Sequence, residues 1–116
     1  MDEALKLQLF FQTLGESNRL RIIKHISEKE CSVSEIVEST GLSQPLVSHH
    51  LRMLRENQIL ETKRSGPFVY YKLKDTRLLS ALGILLEIAN TIEDKETDSS
   101  MFCSPPWWRM HWHTKW

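Results

Sequence analysis

The spacing around Gly41 constrains this chain more tightly than any other feature. Val33, Ile36 and Val37 recur at helical steps and the pattern stops at Ser39. Thr40-Gly41-Leu42 follows, and Ser43 then opens a second periodic run through Val47, Leu51 and Leu54. Glycine takes the left-handed backbone that ends a helix at little steric cost. Serine is a preferred N-cap, and Pro45 falls in the first turn, where its missing N–H is not needed. A short helix, a tight glycine turn and a second helix predict a helix-turn-helix.

The flanking segments extend that reading. The second helix runs to about Glu56 and closes at Asn57-Gln58. Ile59–Arg64 and Phe68–Leu73 read as strands, the latter β-branched and aromatic, with Ser65-Gly66-Pro67 as a hairpin tip. A ribbon directly after the helix-turn-helix makes it winged. Upstream, Glu3–Leu14 carries Leu5, Leu7, Leu9, Phe10, Phe11 and Leu14, apolar on more than one side, and so reads as buried against something large. Gly15 breaks it, and Ser17 reads as the next N-cap. Leu20, Ile23 and Ser27 form the stripe of that helix, with Ile22 and Ile26 beside it, and His25 near it reads as packing. Lys29-Glu30-Cys31-Ser32 reads as a short polar break. Asp75 to about Glu93 is a long helix with Leu78, Leu82, Leu85, Ala89 and Ile92 at heptad-like steps, broadened by Leu79, Leu86 and Ile88.

The expected fold is therefore α+β, mostly helical: a winged helix-turn-helix with a two-stranded β-ribbon, dimerised through its first and last helices. Residues 1–94 form the DNA-binding and dimerisation domain. Residues 95–116 form an acidic linker and an aromatic tail. The 116 residues suit one compact domain. The heptad-like stripe is too long for a lone domain of this size to cover, so a second copy is expected. Two copies set two recognition helices about one DNA turn apart, which predicts a pseudo-palindromic operator.

Several classes are excluded. A chain with 41% hydrophobic and 26% charged residues is not largely disordered. Met1-Asp2-Glu3 does not read as a secretory signal. The apolar run Leu78–Ile92 is interrupted by Ser80, Gly83 and Glu87, short of the about 20 residues a membrane span needs. No membrane partner is expected. The 2 cysteines are too few for a disulfide scaffold, and the expected setting is cytoplasmic. No Ser-His-Asp arrangement or phosphate loop supports an enzyme.

The formal charge of zero hides an uneven distribution. Gln44–Lys74 carries 6 basic residues (Arg52, Arg55, Lys63, Arg64, Lys72, Lys74) against 2 acidic ones, with net negative segments on either side. Local field, not total charge, attracts a polyanion, although a solvated charged face would look similar on charge alone. At about 100° per residue, Val47, Leu51 and Leu54 share one helix face, with His50 at its border. Pro45, Ser48, His49 and Arg52 lie opposite, with Gln44 and Arg55 at the edge, and no acid occurs from Gln44 to Arg55. An ordinary surface helix carries Glu and Lys. This one offers Gln44 for adenine, Arg52 for guanine, and Ser48 and His49 for base or phosphate. Lys63 and Arg64 at the ribbon tip suit backbone phosphates, which position without specifying. Tyr70 reads as packing, whereas Tyr71 reads equally as packing or as a phosphate donor.

Leu42-Ser43-Gln44-Pro45-Leu46-Val47-Ser48-His49-His50-Leu51-Arg52-Met53-Leu54-Arg55 resembles the recognition helix of ArsR/SmtB-type repressors. Gly66–Leu73 resembles their wing and Leu14–Ile22 the start of their second helix, although that family often has proline where Ser17 stands. The likeness covers about residues 4–93. It implies a homodimeric winged-helix repressor that leaves double-stranded DNA when an inducer binds. Many metal-sensing members of the family carry Glu-Leu-Cys-Val-Cys-Asp-Leu on the short helix. Here the stretch is Glu30-Cys31-Ser32-Val33-Ser34-Glu35-Ile36, with serines at both cysteine places. A hydroxyl is a poor soft-metal ligand, so that site is not expected. Other members bind metal between their last helices through His and acids; no His lies from Asp75 to Glu96.

The tail is the peculiar part. Met101–Trp116 holds all 4 tryptophans and no acid. Cys103, His111 and His113 are candidate ligands for Zn(II), Cu(I) or Ni(II). Alternatively Trp107, Trp108, Trp112 and Trp116 dock the tail on the body without a ligand. Cys31 and Cys103 form a candidate redox pair, provided their α-carbons come within about 7 Å; Cys31 equally reads as a small buried residue. The function expected is thus a DNA-binding repressor released by a metal ion or a thiol/redox signal. The alternatives are a winged-helix regulator without such sensing and a winged-helix protein-interaction module.

Overall fold

The computed structural model describes residues 2–97. The tail, with Cys103, His111, His113 and the four tryptophans, lies outside the described residues. The chain divides after Thr76 into two compact units.

The first unit begins with α1 (Glu3–Leu14), whose N-terminus is capped by Asp2 accepting from the Leu5 N–H at 2.7 Å. Helix α2 (Ser17–Ile26) is capped by Glu16, not by Ser17. Glu16 is extended (φ −138°, ψ 125°) and its Oε2 accepts from the Arg19 N–H at 3.0 Å, leaving Ser17 as the first helical residue. Arg19 Nε donates back to the Thr13 carbonyl at 2.7 Å, tying the start of α2 to the end of α1.

Strand β1 (Cys31–Ser32) occupies the segment expected to be a polar break. It pairs antiparallel with β3, so the expected two-stranded ribbon is a three-stranded sheet of order β1-β3-β2. Two residues carry no readable alternation, which is why the sequence concealed this strand. Ser32 ends β1 and at once caps α3 (Val33–Thr40) in a capping box with Glu35. Gly41 follows with φ 73°, its N–H donating to the Val37 carbonyl at 2.9 Å. Ser43 then caps α4 (Gln44–Glu56), with Pro45 in the first turn as expected. Strands β2 (Leu60–Ser65) and β3 (Phe68–Leu73) close on the two-residue loop Gly66-Pro67, where Gly66 takes φ 63°. A positive φ at the first loop residue suits the right-handed twist of a hairpin.

The core is drawn from all four elements that frame the turn. Ile22, Ile23 and Ile26 of α2, Ile36 of α3, Val47, Leu51 and Leu54 of α4 and Leu60 of β2 are essentially inaccessible. His25 does not join them: it is exposed in the last turn of α2, where its imidazole meets the negative end of the helix dipole. Helix α1 buries only Thr13 and Leu14; Leu5, Leu7, Leu9, Phe10 and Phe11 remain 40–52% exposed. The second unit contains α5 (Arg77–Thr97), which runs on through residues 95–97, expected to be linker. Its Ile84, Leu85, Leu86, Ile88 and Ile92 are 44–58% exposed.

Candidate nucleic-acid interface

Helix α4 has two chemically distinct faces. Val47, His50, Leu51 and Leu54 are buried. Gln44, Ser48, His49, Arg52 and Arg55 are all exposed. The helix is held by its apolar face against α2, α3 and β2, which leaves the polar face free along its length. No acid lies in its first turn, so no side chain of that turn offsets the positive end of its dipole. The arrangement offers short polar and cationic groups to an anionic groove.

His50, placed at the border of the apolar face by helical angle, is only 5% exposed. Neither ring nitrogen has a hydrogen-bond partner among the described residues. Its Nε2 lies 3.7 Å from Glu16 Oε2, an ion-pair distance if the ring is charged. Burial pushes the His50 pKa down; the Glu16 carboxylate opposes this, while Arg19 and His49 add to it. The neighbouring His49 ring is 5.5 Å away and exposed, so the two adjacent histidines face opposite environments.

The strand register divides the ribbon into two faces. Leu60 pairs with Leu73, Thr62 with Tyr71 and Arg64 with Val69; these share the core side with buried Leu60 and Leu73. Glu61 pairs with Lys72, Lys63 with Tyr70 and Ser65 with Phe68, all on the outer side. The two candidate wing cations therefore point in opposite directions. Lys63 Nζ is 3.4 Å from Glu30 Oε1, a pair that spans β3 from the residue before β1. Lys72 Nζ is 3.4 Å from Glu61 Oε1. Arg64 has no ion-pair partner among the described residues. The sequence missed Glu30 as the partner of Lys63 because it concealed β1, which brings Glu30 to the sheet. Tyr71 is half-buried opposite Cys31 and Thr62, and Tyr70 is half-buried opposite Lys63.

The short-helix segment does not fit a metal ion. Ser32 Oγ lies 3.1 Å from Glu35 Oε1 and accepts from the Glu35 N–H at 3.3 Å, so its polar atom is spent on the cap. Cys31 is buried in the sheet, and burial followed by the Glu35 charge pushes its thiol pKa up, against a smaller pull from Lys29. A protonated buried thiol is a poor ligand and a poor nucleophile. Among the described residues no three His, Cys, Asp or Glu side chains cluster as a metal site.

Known proteins share this architecture. Residues 16–62 match the family described as bacterial regulatory protein, arsR family. Over 82 residues the chain is 33% identical to a biofilm growth-associated repressor of Xylella fastidiosa, an alignment covering 71% of this chain and 72% of that protein. It is 28% identical over 96 residues to a transcriptional repressor SmtB homolog of Synechocystis sp., covering 83% of this chain and 70% of that one. The solved structure of Rv0081 from M. tuberculosis superposes with a TM-score of 0.70 at 26% identity, covering 81% of this chain and 97% of that chain.

Proposed function

This chain belongs to the ArsR family of bacterial regulatory proteins, and we propose that it represses transcription as a homodimer holding a pseudo-palindromic operator until an inducer releases it. It is a transcriptional repressor and not an enzyme. The observation that carries the DNA-contact reading is the exposed, acid-free face of α4 above a fully buried apolar face. On that face Gln44, Ser48, His49 and Arg52 read base edges and phosphates. Arg64, Lys63 and Tyr71 of the wing take adjacent phosphates, with Lys63 first having to leave Glu30.

The exposed apolar residues of α1 and α5 support dimerisation through the first and last helices. Ten large apolar side chains at 40–58% exposure are more than a monomer of this size ordinarily leaves in water. A second copy covers them by an isologous contact. Among the described residues no helix is long and apolar enough to cross a membrane, so a lipid partner has no such support. Action on DNA implies a cytoplasmic setting.

The inducer reading rests on sequence chemistry. The thiol and imidazoles at Cys103, His111 and His113 are a candidate ligand set for Zn(II), Cu(I) or Ni(II), and Cys103 a candidate partner for a thiol signal. The test is operator selection from random DNA with the full chain, then titration over a salt series. The expected result is a palindromic site and a log–log salt slope of about −0.9 per phosphate neutralised. A flat slope or a single asymmetric half-site overturns the reading. Loss of metal- or oxidant-induced release in Cys103→Ser or His111→Ala/His113→Ala assigns the sensor to the tail; unchanged release removes it from the tail.

A further inference from the structure

The wing tip carries one residue that the electrostatic reading does not use. Phe68 opens β3 directly after Gly66-Pro67, and its side chain is 58% exposed. It pairs across the ribbon with Ser65, which offers no apolar cover. Its one aromatic neighbour is Tyr70, two residues along the same face, at a ring-centroid distance of 6.4 Å. Strand alternation puts Phe68 on the outer side of the ribbon and Arg64 on the core side. The tip thus bears an aromatic wedge on one face and, on the other, a guanidinium with no ion-pair partner among the described residues.

The local charge decides what covers this ring. From Thr62 to Lys74 there is no acid; Lys63 and Arg64 adjoin the tip, with Lys63 paired to Glu30, while Lys72, paired to Glu61, and Lys74 lie towards the far end of β3. The partner that fits is a polyanion with apolar walls. A nucleic-acid groove is one: deoxyribose presents carbon surface between phosphates, and proteins lay apolar side chains against it or wedge them at base steps.

We propose that Phe68 is a DNA-contacting residue of the wing, packing on the deoxyribose wall of the groove flanking each recognition-helix site. The proposal rests on the DNA-binding reading above and adds to it an apolar contact at the tip, opposite Arg64. An apolar contact releases no counterion, whereas a phosphate contact does. The two wing residues therefore have distinguishable signatures.

The experiment compares full-length chain with Phe68→Ala, Phe68→Leu and Arg64→Ala on the selected operator over a salt series. The operator is used with its flanks and again trimmed to the two recognition-helix sites. Phe68→Ala is expected to weaken binding about five- to tenfold on the flanked site, at an unchanged salt slope. Phe68→Leu recovers most of that, and the effect disappears on trimmed DNA. Arg64→Ala lowers the slope by about 1. Melting temperature and particle mass stay those of the parent, because the ring is mostly solvent-exposed. If Arg64→Ala lowers the slope while Phe68→Ala binds as tightly as the parent, the Phe68 contact is overturned and the wing's role stands. If neither variant changes binding, the wing does not touch DNA and that part of the functional reading falls. A change in particle mass in Phe68→Ala makes the tip a protein contact and overturns the proposal.

Discussion

Replacing His50 with leucine is expected to stabilise the protein, and more so in mild acid. His50 sits on the buried face of α4 at 5% exposure, with neither Nδ1 nor Nε2 hydrogen-bonded to any described residue. The nearest carboxylate oxygen, Glu16 Oε2, is 3.7 Å away, beyond hydrogen-bond length. A buried polar group left unmade costs about 1–3 kcal/mol, and a near-isosteric apolar swap costs under about 1.5 kcal/mol in packing. The balance at about pH 8, where the ring is neutral, favours His50→Leu by about 1 kcal/mol, or about 4 °C in a domain of this size. Glu16 keeps its cap on Arg19, so α2 is not undone by the change.

Acid enlarges the difference. Burial lowers the folded-state pKa of His50 below the ordinary value of about 6.5, so the unfolded chain binds the proton more readily. Parent stability is therefore complete above about pH 6.5 and declines as the pH falls from there towards the folded-state pKa. The leucine variant lacks that component. Urea unfolding followed by circular dichroism at about pH 8 and about pH 5.5 measures both terms. A variant less stable than the parent at the higher pH would mean that the imidazole makes a bond worth keeping. A gap that does not widen in acid would mean that burial does not govern its charge.

Arg52→Ala is expected to cost about 1–3 kcal/mol and to relax preference at one base position, read by selection from random DNA; a uniform loss across all sequences would make Arg52 a phosphate contact. Glu30→Gln frees Lys63 from its 3.4 Å pair, and operator affinity in low salt should rise about twofold, since an exposed pair contributes under about 1 kcal/mol; an unchanged affinity would mean that Lys63 stays off the DNA even when free. Gly41→Ala has open space around its new methyl but must adopt φ 73°, so a loss of about 1 kcal/mol is expected in thermal unfolding; no loss would mean that the turn relaxes to another conformation.

The helix-turn-helix was legible because each boundary has a local chemical cause. Gly41, Ser43 and Pro45 act on their own backbone, and the apolar steps of α4 name their own face. The caps were less legible. Glu16 displaces Ser17 because a longer carboxylate reaches the Arg19 N–H from one residue earlier, a competition that spacing alone does not resolve. His25, read as packing, lies in water, whereas His50, read at the border of the apolar face, is buried with it. Both lie near a stripe edge by angle, yet tertiary packing buries one and leaves the other in water. A helical wheel gives direction but not the depth of the neighbour that direction meets.

The wing shows how a feature too small to see in the sequence can redistribute function. Lys63 and Arg64 are adjacent, equally basic and equally near the tip, and composition treats them alike. A strand alternates its side chains, so one faces the core side and the other does not. That alone separates them, but β1 gives the separation a consequence. Two residues of β1 pair with β3 and bring Glu30 across to Lys63, while Arg64 on the opposite face has no acidic partner among the described residues. The same alternation turns Phe68 outward beside a serine that cannot cover it. A neutral protein can therefore present a basic helix face and a wing tip with an exposed ring and a guanidinium that is without an ion-pair partner among the described residues, because Glu30 and Glu61 are held by lysines on the other face from Arg64.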